Sequence, residues 1–361
     1  MNAGPVLIMA GGTGGHVFPA LAVARALHSR NESVVWLGSV QGMEARIVPA
    51  EGIPLETIRV GGLRRKGAMT WLAAPWRLLI ALADALRVLR RRRPRVVLGM
   101  GGFAAGPGGV AAWLLGRPLV IHEQNAVAGL TNRLLAGMAR EVLTAFPGSF
   151  SASRKARVIG NPVRQEITAL PPPRVRLAGR SGALHLLVLG GSQGARVLNE
   201  TVPAAVASLP AGAALQIWHQ TGAATMELAR DAYRNAGLQA RVDAFITDMA
   251  AAYAWADVVV CRAGALTVSE LAAAGLPAVL VPFAGAVDDH QTRNAAFLVE
   301  AGAATLVAQA ELSAARLAAE LAPYLRDRGL VLTRAERARA LAHAGVAEEI
   351  AATCQRLGGG E

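Results

Sequence analysis

Val6-Leu-Ile-Met-Ala-Gly-Gly-Thr-Gly-Gly-His16 sets the architecture. An apolar run breaks into four glycines within residues 11–15, and a helical pattern follows over Pro19–Ser29. Leu186-Leu-Val-Leu-Gly-Gly-Ser-Gln-Gly194 repeats the unit at the head of the second half. A short apolar run bounded by glycine reads as a strand buried on both faces, and the helix after it covers one of them. Ser33–Leu37, Val96–Leu98 and Leu119–Ile121 continue the pattern in the first half, and Leu215–Trp218, Val258–Val260 and Ala278–Pro282 in the second. Helical stretches such as Leu266–Ala274 lie between them. Strand and helix in alternation predict an α/β protein with doubly wound parallel sheets.

The repeated unit implies two domains, and 361 residues suit two at about 150 each. Gly160-Asn-Pro-Val-Arg164, Pro171-Pro-Pro173 and the Gly179–Gly182 stretch mark the boundary. We expect domains over 1–163 and 164–340 that face each other across a cleft, with Thr333 to Leu357 helical and no strand after it. Hydrophobic residues at 53% against 17% charged exclude disorder over most of the length.

Glycine numbers 39 and clusters in three loops that each follow a strand: Gly11–Gly15, Gly99–Gly109 and Gly190–Gly194. Such a loop at a helix N-terminus offers bare N–H groups and the positive end of the helix dipole, a natural place for phosphate. Neither nucleotide signature is complete. No Lys-Ser/Thr follows the first loop, Val17 stands where a dinucleotide fingerprint needs Gly or Ala, and strand two ends in Leu37-Gly38-Ser39 without a ribose-binding acid. Three loops exceed the needs of one mononucleotide, so two phosphorylated ligands and a transferase are expected. His16 at the loop mouth reads either as a general base or as a helix-entry residue. Arg262 to Glu270 opens another helix, with Glu270 either accepting ribose hydroxyls or acting as a capping or solvated carboxylate. Asp288-Asp289-His290-Gln291 lacks a third ligand at metal spacing and suits polar sugar contacts better.

The net charge is +12, almost all arginine. Arg64, Arg65 and Lys66 form one knot; Arg87, Arg90–Arg93 and Arg95 form another. Between them, Trp71, Trp76, Leu78 and Leu79 start an amphipathic stretch, and Trp71, Trp76 and Trp113 are half of the six tryptophans. The stretch reads as an interfacial helix on anionic lipid, as an ordinary helix packed on the sheet, or as both. Pro75, Arg77, Asp84 and Arg87 interrupt it, whereas a membrane span needs about 20 mostly apolar residues. No signal peptide is visible, and Cys261 and Cys354 are too few for a disulfide framework. A cytoplasmic protein that touches a membrane surface is expected.

Met9-Ala-Gly-Gly-Thr-Gly-Gly-His-Val-Phe-Pro-Ala-Leu-Ala-Val23 resembles the opening of the MurG family of bacterial wall-synthesis N-acetylglucosaminyltransferases. His122-Glu-Gln-Asn125 with Ala128-Gly-Leu-Thr-Asn132, Gly160–Arg164, Gly190–Asn199, Cys261–Glu270 and Ala286–Gln291 follow in family order. The resemblance runs from Pro5 to about Ala304. Ala284-Gly285 stands where related sequences often have Pro-His, and Thr247 where an acid is more usual.

The resemblance implies the GT-B architecture, with a last helix, about 341–361, packing back on the first domain. It implies an inverting transfer from UDP-N-acetylglucosamine to undecaprenyl-pyrophosphoryl-N-acetylmuramoyl-pentapeptide, without cofactor or metal, at the cytoplasmic face of the plasma membrane. Ser192 and the helix start at Ala265, Leu266, Thr267, Val268 and Ser269 would hold the donor, with Arg164 near its diphosphate. Glu270 would take the ribose, Ile246 the uracil, and Asn125 and Gln291 the sugar. Thr13, Gly14 and Gly15 are implied for donor and acceptor alike, and Gly14, Gly15, Gly101 and Gly102 for the acceptor diphosphate. His16 would be the base. Trp71, Trp76, Arg77, Leu79 and Trp113 would meet the anionic membrane surface, and wall-synthesis proteins would be partners. A nicotinamide oxidoreductase lacks its fingerprint here. A nucleic-acid binder would interleave aromatics with its arginines, which this chain does not. A related glycolipid-forming transferase is the remaining rival.

Overall fold

The computed structural model describes residues 4–61, 74–151, 155–191, 194–210, 212–285 and 289–359. It separates into two units, residues 1–162 with 345–361, and residues 163–344.

In the first unit, β1 (Val6–Met9), β2 (Val34–Ser39), β3 (Leu55–Ile58), β4 (Val96–Gly99), β5 (Leu119–Glu123), β6 (Glu141–Thr144) and β7 (Ala156–Val158) form one sheet. Their order is β3-β2-β1-β4-β5-β6-β7, and every pairing is parallel. Side chains alternate across a strand, so β1 feeds two cores. Val6 and Ile8 pack with Val17, Leu21 and Ala24 of the helix Gly14–His28; Leu7 and Met9 pack with Ala85, Val88 and Leu89 of the helix Ala74–Arg92. Both faces of β1 are covered, which is why Val6-Leu-Ile-Met9 is apolar at every position.

The helix Val346–Gly358 completes the first core with Val346, Ile350, Ala351 and Cys354. Gln355 fixes its end, accepting from Arg30 Nη1 at 2.9 Å and donating to Glu32 Oε1 at 2.8 Å.

In the second unit, β8 (Leu184–Leu189), β9 (Leu215–Gln220), β10 (Arg241–Asp243), β11 (Val258–Cys261), β12 (Ala278–Leu280) and β13 (Ala304–Leu306) run in the order β10-β9-β8-β11-β12-β13. These pairings are parallel too. In both sheets the strand order reverses beside the first strand of the unit. Ligands of such sheets bind at that switch point, beyond the carboxyl ends of the strands. The loops after β1 and β4, and after β8 and β11, carry the glycines singled out from sequence.

The arginine cluster at the end of the helix Ala74–Arg92 is solvent-exposed but partly paired. Arg91 and Arg92 both pair with Glu56, and Arg87 pairs with Asp84 at 2.9 Å. The acids come from β3 and from the helix itself, and lie outside the arginine run that the sequence brings to notice.

Candidate functional site

After β1 the backbone turns at Gly12, with φ +89°. The Gly12 N–H is already taken, because Glu44 Oε2 accepts it at 3.0 Å. Glu44 Oε1 accepts the Ser39 N–H at 2.9 Å and the Ser39 hydroxyl at 2.7 Å. A Cβ built on Gly11, Gly38 or Gly42 would come within 2.4, 2.6 or 2.1 Å of the Glu44 side chain. Three glycines thus make room for one buried carboxylate. Burial pushes that carboxyl up, but the Ser39 N–H and hydroxyl, its own N–H and the Gly12 N–H outweigh burial and hold it below its ordinary value. Sequence reasoning passed over Glu44. The signal was a lone acid just past Gly38 and Gly42.

Thr13 has extended backbone and forms no side-chain cap, and no acid lies in the first turn of the helix Gly14–His28. Helix geometry leaves the Gly14 and Gly15 N–H groups without intrahelical acceptors. This helix start can take an anion.

His16 lies on the first turn, with Nδ1 3.0 Å from Gln124 Oε1. The loop after β4 comes up against it. A Cβ on Gly101, where φ is +91°, would sit 2.6 Å from His16 Nδ1, and one on Gly102, where φ is +87°, 2.4 Å from the Gly11 carbonyl oxygen. Close approach of two loops therefore accounts for both glycines, a physical reason that the sequence reading had not weighed beside phosphate. Gln124 was likewise unassigned.

Asn125 follows β5. Its N–H and Nδ2 both donate to Glu123 Oε1, at 2.9 and 3.2 Å, while Oε2 of that carboxylate accepts from Gly129 N and Asn132 Nδ2. Buried Glu123 thereby shapes the whole 125–132 turn.

In the second unit, Gly190, Gly191 and Gly194 follow β8, and Gln220 Nε2 donates to the Gly191 carbonyl at 3.0 Å. Ser192 lies outside the described residues. The helix Ala265–Ala274 starts at an extended Gly264 with neither side-chain cap nor acid in its first turn. The N–H groups of Ala265, Leu266 and Thr267 are thus open to an anion. Val268 is fully buried in the core, and the Ser269 hydroxyl donates back to the Ala265 carbonyl at 3.0 Å.

Glu270 is only 5% exposed, which removes the capping and solvated readings of it. Arg164 Nη2 donates to Oε1 and the Tyr253 hydroxyl to Oε2, each at 3.0 Å. Burial pushes the Glu270 carboxyl up, with Arg164 and Tyr253 pulling the other way. Ile246 is buried beside an exposed Phe245. Gln291, on the first turn of the helix His290–Glu300, accepts the Phe283 N–H at 2.9 Å. Asp288, on the stretch before it, is outside the described residues.

Trp76 (68%), Leu79 (58%) and Trp113 (54%) are exposed, and Arg77 stands beside them. They sit on the helices Ala74–Arg92 and Ala105–Leu114, which pack together. Trp71 and the Arg64–Lys66 knot lie outside the described residues.

Residues 6–144 match the glycosyltransferase family 28 N-terminal domain, and residues 185–350 the family 28 C-terminal domain. The chain is 58% identical over 98% of its length, and 99% of the relative's, to the UDP-N-acetylglucosamine--N-acetylmuramyl-(pentapeptide) pyrophosphoryl-undecaprenol N-acetylglucosamine transferase of Nitrosococcus oceani. It is 59% identical to the protein of that name from Alkalilimnicola ehrlichii, over 97% of this chain and 98% of the other. The crystal structure of MurG from Acinetobacter baumannii superposes with a TM-score of 0.86 at 41% identity, covering 98% of this chain and 99% of that one.

Proposed function

The chain belongs to the MurG family, within glycosyltransferase family 28, and from that premise we propose its reaction and the part each residue plays. The protein is a UDP-N-acetylglucosamine-dependent glycosyltransferase with the GT-B fold. It moves N-acetylglucosamine to the 4-hydroxyl of lipid-linked N-acetylmuramoyl-pentapeptide, forming a β-1,4 bond with inversion. Lipid I becomes lipid II, a step of peptidoglycan synthesis. The observation that carries this reading is the 58% identity over 98% of the chain.

Geometry supports a division of labour. In the second unit, the N–H groups of Ala265–Thr267 take the donor diphosphate with Arg164 near it, Glu270 accepts ribose hydroxyls, Ile246 meets the uracil through its backbone, and Gln291 contacts the sugar. In the first unit, Gly14, Gly15 and the Gly101–Gly102 loop meet the acceptor, and Asn125 the transferred sugar. As the acceptor oxygen bonds the anomeric carbon, its proton passes to His16 and the carbon–oxygen bond to the diphosphate breaks. Negative charge grows on the departing UDP, where fixed N–H dipoles stabilise it without having to reorient.

The acceptor's polyprenyl chain keeps the reaction at a membrane. Among the described residues no helix is long and apolar enough to cross one. Trp76, Leu79, Trp113 and Arg77 supply a peripheral contact with anionic lipid on the cytoplasmic face, with aromatic rings at headgroup level and a cation beside them.

Incubation with labelled UDP-N-acetylglucosamine and, separately, lipid I or a diacylglycerol acceptor tests the reaction. Label should enter only the lipid I product. Transfer to the glyceride alone would replace this reading by the glycolipid one.

A further inference from the structure

In the first unit, His122, Gln124 and His16 form a chain in which each neighbour dictates where the protons sit. The Gly160 carbonyl only accepts, so His122 Nε2, 2.9 Å from it, carries the ring proton. The Met100 carbonyl also only accepts, so the Gln124 atom 3.0 Å from it must be the amide nitrogen. The second hydrogen of that nitrogen meets the lone pair of His122 Nδ1 at 3.3 Å. His122 stays neutral, since burial pushes its pKa down to about 4 despite the Gly160 bond and nearby Glu123. With the amide nitrogen committed twice, Oε1 is the Gln124 atom facing His16, 3.0 Å from Nδ1. An amide oxygen cannot donate. The proton between them belongs to His16 Nδ1.

We infer that Gln124 is a positioning residue that holds His16 as the neutral Nδ1–H tautomer, leaving Nε2 as the lone pair that takes the acceptor proton. The inference deepens the proposed reaction and rests on the reading of His16 as base. A free histidine side chain in water favours the opposite tautomer, whose lone pair is on Nδ1. Here that edge of the ring is covered by the Gly101 backbone, where even an added Cβ would lie 2.6 Å from Nδ1. A lone pair placed there would be useless to a substrate. Among the described residues, Nε2 makes no hydrogen bond. When Nε2 gains its proton, Nδ1–H keeps the same bond to Gln124, so no group has to reorient as the charge forms.

Selective 15N-histidine labelling of the full chain, recorded as a pH series, reads the tautomer directly, and His16→Gln assigns the signals. Wild type should show His16 protonated on Nδ1 and bare on Nε2. Gln124→Met keeps the side-chain length and removes the acceptor. It should shift His16 toward Nε2–H and lower kcat about 100-fold, with both KM values within about twofold. A wild-type His16 found as Nε2–H overturns the inference, as does a Gln124→Met protein that keeps tautomer and turnover. If Gln124→Met does not fold, the wild-type spectrum decides alone. Full turnover in His16→Ala beside an Nδ1–H wild type would refute the base reading while confirming the Gln124 contact, so the two failures read differently.

Discussion

Arg164 Nη2 and the Tyr253 hydroxyl hold opposite oxygens of Glu270, each at 3.0 Å, so the carboxylate is fixed from two separate elements of the second unit. Each oxygen retains capacity to accept another hydrogen bond, which is what a ribose diol would use. Glu270→Ala should therefore weaken UDP and the intact donor alike, by about 100-fold, in keeping with bonds to a charged acceptor at ~1.5–3 kcal/mol. Calorimetry with UDP checks it. Unchanged affinity would remove Glu270 from the donor site.

Glu270 also predicts a pH dependence with a definite sign. Burial raises its folded-state pKa above the ordinary 4.5, against the pull of Arg164 and Tyr253. Its stabilising share is then fully present below the unfolded value and is lost as pH rises through the folded one. Relative to Glu270→Gln, wild type should gain stability as pH falls from neutral toward that value, while the proposed ribose bonds to the ionised form should make UDP affinity decline. Urea denaturation across the same window gives the slope. The reverse slope would mean that Arg164 outweighs burial.

Glu44 has the opposite sign. Its carboxyl lies below its ordinary value, so its contribution is present above the unfolded pKa and lost as pH falls through the folded one. Glu44→Ala strips acceptors from Gly12 N, Ser39 N and the Ser39 hydroxyl together. We expect a loss of about 3 kcal/mol at neutral pH, smaller on acidification, because buried donors left unpaired cost roughly 1–3 kcal/mol each and water can reach some of them. Chemical denaturation of both proteins at two pH values tests magnitude and sign together.

The sequence made the architecture legible where strands are central and glycines follow them. β1, β4 and the Leu186–Leu189 part of β8 are apolar throughout because helices cover both faces, and that reads plainly. β3, β7, β10 and β13 are sheet edges, and β6, Glu141-Val-Leu-Thr144, is polar at both ends. Leu55-Glu-Thr-Ile58 and Arg241-Val-Asp243 carry polar residues that an edge tolerates, so neither run stands out from a loop. Loop composition exposed the helix start at Ala265, but it put the first helix at Pro19, five residues after its start at Gly14. It did not reveal Glu44, Gln124 or Tyr253, whose partners lie 32, 108 and 17 residues away in the chain. Only the folded backbone brings those groups together.

Glycines with the same left-handed backbone should differ in what they cost when replaced. At Gly116, with φ +63°, an added Cβ meets nothing within 4 Å, so Gly116→Ala should lose about 1 kcal/mol of stability from strain alone and keep full turnover. Gly102→Ala drives its Cβ toward the Gly11 carbonyl, which as backbone cannot step aside, and should lose more stability than Gly116→Ala. Gly101→Ala presses on the His16 ring instead, so turnover should fall further than stability does. Melting curves and initial rates on the three variants separate the cases. Equal behaviour would show that the two loops do not depend on close contact.

The exposed apolar face on the helices Ala74–Arg92 and Ala105–Leu114 gives a last test. Burying one such side chain in lipid is worth about 1.5–3 kcal/mol, so changing Trp76, Leu79 and Trp113 together to serine should abolish sedimentation with anionic vesicles. UDP affinity should not change, since the residues proposed to hold UDP are all in the other unit. The charges should not act alike. Arg77 has no ion pair among the described residues, whereas Arg91 is paired with Glu56. Arg77→Ala should then lower vesicle binding by about the ~1 kcal/mol expected for one arginine near an anionic surface, and Arg91→Ala by less. Added salt should shrink the Arg77 effect and leave most of the serine effect in place. If the serine triple variant still sediments like wild type, the membrane contact lies elsewhere on the protein.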